Sequence, residues 1–94
     1  DFTHVRDAAR ANLIAAAHPG VGKGEVINIG TGRNVSVNYL ADLIDKGGVR
    51  EALPARVEAH DSCADVSRAK ALLGWEPSVT LEDGISELMR EWGT

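Results

Sequence analysis

Glu25-Val26-Ile27-Asn28-Ile29-Gly30-Thr31-Gly32-Arg33-Asn34 is the stretch on which the fold turns. Residues 25–30 read as a β-strand, with β-branched residues at 26, 27 and 29. Those apolar positions fall on both alternating faces. Such a strand belongs in a sheet covered on both sides. Gly30 to Asn34 reads as a turn, because its two glycines permit backbone that other residues avoid. Ser36 then caps a helix near 37–46, with Val37, Leu40, Ala41 and Ile44 on one face and Gly47-Gly48 at its end. A strand passing through a glycine turn into an amphipathic helix points to an α/β fold.

Upstream, residues 4–17 read as a helix, with Val5, Ala8, Ala9, Leu13 and Ala16 near the 3.6 period. Thr3 is the expected N-cap, and Asp7 suits the early, positive end of the dipole. His18-Pro19-Gly20 ends this helix, since a residue before proline avoids the helical region. Downstream, 49–63 is the least periodic stretch: a connector, with a short strand expected over 55–58. A third helix near 66–73, capped by Asp65 or Ser67, closes at Gly74. Trp75 is expected to pack across its C-terminus. Thr80 with Asp83 three residues on opens a fourth helix, whose stripe is Leu81, Ile85, Leu88, Met89 and Trp92.

Four helices therefore accompany one clear strand. One strand makes no sheet. The sheet is expected to be incomplete in this chain and finished by further chain or a second copy, so a homodimer or other homo-oligomer is expected.

Composition narrows the function classes. The 94 residues carry 14 acids and 10 bases, a net charge of −4. A nucleic-acid or anionic-membrane partner would call for a basic footprint, so neither is expected. Aromatic residues make up 4%, so the core is thin. The single cysteine, Cys63, excludes an intrachain disulfide and a multi-cysteine zinc site. It is expected to pack as a small hydrophobe. No apolar run is long enough for a membrane-spanning helix, and the first residues lack the pattern of a signal peptide. A cytoplasmic protein is expected. The start at Asp1, without Met, suggests a piece of a longer one.

Few residues carry obvious chemistry. Gly30-Thr31-Gly32 invites a dinucleotide reading, but Val35 stands where the fingerprint needs a third glycine. His4, His18 and His60 have no zinc-site spacing, and no metal site is expected. Ser62 lacks a nucleophile elbow. Arg56 and Glu58 form the polar pair most suggestive of binding. They follow Pro54 in an irregular stretch, and the arginine fork suits a phosphate.

Four blocks carry a resemblance. They are Asp1-Phe2-Thr3-His4-Val5-Arg6-Asp7-Ala8-Ala9-Arg10-Ala11, Val26-Ile27-Asn28-Ile29-Gly30-Thr31-Gly32 with Ser36-Val37, Ala64-Asp65-Val66-Ser67-Arg68-Ala69 running to Leu73-Gly74-Trp75-Glu76-Pro77, and Leu81-Glu82-Asp83-Gly84-Ile85. In order and spacing the chain resembles the C-terminal part of the nucleotide-sugar epimerases and dehydratases of the extended short-chain dehydrogenase/reductase family. Its pattern is nearest to the UDP-glucose and UDP-N-acetylglucosamine 4-epimerases.

The resemblance implies a parent enzyme in which an N-terminal Rossmann domain holds NAD and a C-terminal region, here 1–94, holds a UDP-sugar. It implies hydride transfer from the sugar C4 to NAD and back to the other face. No catalytic or cofactor-binding residue of that machinery is expected in this chain. Its one Tyr, Tyr39, is followed four residues later by Leu43, so there is no Tyr-x-x-x-Lys. The resemblance assigns Arg56 to the nucleotide phosphates and Glu58 to the ribose. The family's R-x-G-[DE] stretch is here Arg56-Val57-Glu58, one residue shorter and without the glycine. Two other readings stay open: a non-catalytic assembly module that completes its sheet by oligomerising, and part of a dehydratase or reductase.

Overall fold

A computed structural model describes residues 1–45, 47–48, 51–54 and 60–92. Four helices follow along the chain: α1 (Val5–Ala17), α2 (Val37–Asp45), α3 (Ser67–Leu73) and α4 (Leu81–Glu91). α1 packs on α3, and α2 packs on α4.

Local chemistry sets the ends of these helices. Ser36 Oγ accepts the Tyr39 N–H at 3.0 Å and opens α2. Thr80 Oγ1 accepts the Asp83 N–H at 3.1 Å and opens α4. α1 is capped one residue later than expected. Its cap is His4, not Thr3, and the His4 Nδ1 accepts the Arg6 N–H at 3.0 Å. An imidazole nitrogen does here what a threonine hydroxyl does elsewhere. Neither residue expected to cap α3 occupies the cap. Val66 stands there without a side-chain bond, and Asp65 instead accepts the Ser67 N–H at 3.0 Å. At the other end of α3, Gly74 takes a left-handed conformation at φ 66°. That reversal sends Trp75 back beneath the helix, with the Trp75 N–H on the Ala69 carbonyl at 3.3 Å.

The strand expected over 25–30 does not form. Among the described residues the architecture is helical, and residues 25–29 pair with no other strand. A strand exists by pairing, and the second expected strand, 55–58, lies outside the described residues. Some strand character survives as alternation: Ile27 and Ile29 pack on the core while Val26 is 77% exposed. Only one of its two apolar faces is covered. The Val26 carbonyl accepts from the Arg68 guanidinium at 2.9 Å instead of from a neighbouring strand.

The core is built around Ala11, Ala69, Leu73 and Trp75. Two alanines at the contact let α1 and α3 approach closely, and Trp75 fills the space below them. Asp7 is also fully buried. Its carboxylate accepts the Ser78 N–H, the Ser78 hydroxyl at 2.8 Å and the Val79 N–H at 3.0 Å. Asp7 thus does more than sit at the positive end of α1. It ties the segment before α4 to the side of that helix.

The molecule is a plate of 49 × 33 × 16 Å with a radius of gyration of 16.1 Å. A compact domain of this length would have a radius of about 12 Å. One consequence is exposed apolar surface: Val5, Leu13 and Val26 are each more than 70% exposed. No described helix is long and apolar enough to cross a membrane.

Candidate functional site

Three separated segments meet at the Asp1 carboxylate. Its Oδ1 accepts the Thr31 N–H at 2.9 Å and the Thr31 hydroxyl at 2.7 Å. Its Oδ2 accepts the Gly32 N–H and the Ala64 N–H, each at 3.0 Å. The glycine at position 30 makes the meeting possible. A Cβ there would lie 2.5 Å from the Ala64 Cβ and 3.0 Å from Asp1 Oδ2.

This network settles the Gly30-Thr31-Gly32 turn. A dinucleotide turn offers its amides to phosphate oxygens. Here a carboxylate of the same chain already takes the Thr31 and Gly32 amides. A negative charge stands where a phosphate would have to sit, so the turn does not fit NAD.

Beside the network opens a cleft of about 510 Å³, within the range of small-molecule sites. One wall is the run from Asn34 to Asn38, which includes the start of α2. The other is His60, Asp61 and Ser62, with Asp1 and Phe2 completing the lining. The Asn34 amide reaches Asp61 Oδ1 at 3.5 Å across the cleft. The lining suits a ligand with hydroxyls and a flat apolar part. Asp61, Asn34 and Asn38 can bond polar groups, while Phe2, Val35 and Val37 offer apolar surface. The N-terminal end of a helix also favours an anion.

Arg56 and Glu58 lie outside the described residues. In sequence they precede His60, a lining residue, by four and two positions. Cys63 is exposed, not packed, and lines an open concavity with Asp1, Asn28 and Ser62. Among the described residues no group of three His, Cys, Asp or Glu could hold a metal ion.

Charge fixes the surroundings. Arg33 grips both oxygens of Glu82 at 2.6 and 3.0 Å and lies 5.9 Å from the Tyr39 ring, joining the turn to α4 and α2. Bonding to Arg33 lowers the Glu82 pKa. Burial alone would raise the Asp7 pKa, but the Val79 and Ser78 donors outweigh it and hold the carboxyl below its ordinary range. His4 packs on α4 where Gly84 leaves room: a Cβ at Gly84 would lie 3.0 Å from the imidazole. Periodicity shows none of these roles of Asp1, Asp7 and His4. The glycines at 30 and 84, one ending a strand-like run and one inside a helix, were the available signal of close approach.

No protein-family model matches the chain. A putative UDP-glucose 4-epimerase of Methanocaldococcus jannaschii is 38% identical over 94 residues, covering 95% of this chain and 29% of that protein. A UDP-glucuronate 4-epimerase of Thermodesulfobacterium geofontis is 36% identical over 91 residues, covering 90% of this chain and 27% of that protein. The crystal structure of a UDP-glucose 4-epimerase from Thermotoga maritima, solved with UDP-glucose, superimposes with a TM-score of 0.78 at 38% identity. That match covers 100% of this chain and 32% of the other.

The chain belongs to the extended short-chain dehydrogenase/reductase family. It spans about 29% of the length of the first of these relatives. The four blocks that resemble the family's C-terminal part account for most of the contacts described above. The first block supplies Asp1, the His4 cap and Asp7. The second supplies the turn that Asp1 holds. The third supplies Ala64, α3 and Trp75. The fourth supplies Glu82 and the Gly84 gap.

Proposed function

We propose that this chain is the substrate-binding part of an NAD-dependent UDP-sugar 4-epimerase, and that its cleft takes the nucleotide. The observation that carries this reading is the cleft itself. A cavity of about 510 Å³ opens between the start of α2 and residues 60–62, in a chain 38% identical to an epimerase solved with UDP-glucose. Arg56 then grips the diphosphate through its planar fork of donors. Glu58 accepts hydrogen bonds from the ribose hydroxyls. The described lining has no Lys or Arg of its own, so a basic side chain just before His60 is what a diphosphate requires.

The chain alone holds no hydride acceptor and no Tyr-x-x-x-Lys. The Gly30 turn does not fit NAD, so in this reading the cofactor is held elsewhere in the parent protein. Calorimetric titration with UDP and UDP-glucose tests the reading. Binding is expected, weakened by Arg56→Ala and by Glu58→Gln. A chain that is folded but takes up neither ligand contradicts it.

A second reading has one observation in its favour. The uncovered Val26 face, together with exposed Val5 and Leu13, suits an assembly module that pairs with another copy. Sedimentation separates the two: a well-folded monomer at high concentration removes the assembly reading and leaves nucleotide binding untouched.

A further inference from the structure

We propose that Asp1 is a positioning residue for the nucleotide: its carboxylate sets the distance between the two walls of the cleft. This rests on the reading of the cleft as a UDP site. One wall begins just after the turn at Thr31 and Gly32. The other ends just before Ala64. Asp1 is bonded to both, through Thr31 at 2.7 and 2.9 Å and through Gly32 and Ala64 at 3.0 Å each. Both of its oxygens are used, and each needs to be an acceptor, because each faces at least one backbone N–H.

An asparagine in that position has one acceptor oxygen and one amide donor. Whichever way it turns, the donor faces N–H groups. With the amide at the Oδ2 position the Gly32 and Ala64 bonds are lost, and with it at the Oδ1 position the Thr31 N–H bond is lost. The joint loosens: residues 60–62 keep the bond from the Asp1 amino group to the Ser62 carbonyl at 2.8 Å, but part of their tie to the turn is lost, and a ligand has to order that wall on binding. The joint can also be loosened without touching a polar group. A methyl at Gly30 meets the Ala64 Cβ at 2.5 Å and Asp1 Oδ2 at 3.0 Å, so it pushes the same two segments apart. Gly30 does not line the cleft.

The test compares UDP affinity in the unaltered chain, Asp1→Asn and Gly30→Ala, at a temperature where each is fully folded. Amide spectra serve as the check on folding, with the Trp75 indole signal as the report on the distant core. Both variants are expected to bind UDP about tenfold more weakly, the size of effect expected for losing a bond to a charged group. The Ala64 amide is expected to lose its hydrogen-exchange protection while the Trp75 indole signal stays in place. A merely structural role would lower the melting temperature of both variants and leave their affinity when folded unchanged, and that result overturns the proposal. Weakening in Asp1→Asn alone would mean that Asp1 touches the ligand directly, which also overturns it. Thr31→Val, which removes the hydroxyl bond to Asp1 Oδ1, is the milder variant should Asp1→Asn not fold; a smaller loss of affinity is expected from it, and an unchanged affinity counts against the proposal. An unaltered chain that ignores UDP overturns the reading on which the proposal stands, a result distinct from the others.

Discussion

The indole N–H of Trp75 donates a 3.1 Å hydrogen bond to the backbone carbonyl of Asp7, within a contact that is fully buried on both sides. The Arg10 guanidinium closes that contact, lying 5.6 Å from the indole ring and bonding the Glu76 carbonyl. One residue thus anchors α1, α3 and the segment before α4. Trp75→Phe keeps an aromatic ring but removes the donor and leaves a void. It is expected to destabilise the chain by roughly 2 kcal/mol or more, read as a lower urea midpoint. An unchanged midpoint would show that the indole bond is not formed in solution.

The Asp7 carboxyl predicts an acid limit to stability. Its pKa in the fold lies below the ordinary value of 3.8. A depressed carboxylate adds stability above its unfolded pKa and loses it as pH falls through the folded value. The melting temperature is therefore expected to be steady from neutral pH to about pH 5 and to fall below about pH 4. Asp7→Asn is expected to lower the plateau and to flatten part of that fall. A variant with the full acid slope would assign the slope to other paired acids, such as Glu82 and Glu87, whose pKa values are also lowered.

Gly84 lies within α4, where alanine would favour the helix by about 1 kcal/mol. The His4 ring occupies the space that a Cβ would need. Gly84→Ala is therefore expected to give no gain in stability alone. Combined with His4→Ala, which vacates the space, the same change is expected to be stabilising relative to His4→Ala. A double-mutant cycle measures this coupling. Additive effects would mean that the two residues do not meet.

The helices were legible because apolar spacing and caps agree locally. Ser36, Gly74 and Thr80 mark boundaries by bonds that reach only three or four residues. The strand over 25–30 is not confirmed, because a strand exists by pairing and no local pattern reports its partner segment. The cap of α1 is not legible for a related reason: His4 accepts the Arg6 N–H in place of Thr3, and sequence does not rank the two neighbours. The Asp1 joint spans more than sixty positions between its carboxylate and the Ala64 amide. A contact that long leaves a trace in one chain only as small residues, here Gly30 and Ala64, and as family-like blocks whose order can be matched.

The most direct test of the central claim is an amide NMR titration of the chain with UDP. Saturable shifts are expected at Asn34, Ser36, Val37 and Asn38 on one wall and at His60, Asp61 and Ser62 on the other, together with Arg56 and Glu58. A well-dispersed spectrum that does not respond to UDP, or responds only at residues away from this cleft, would contradict it.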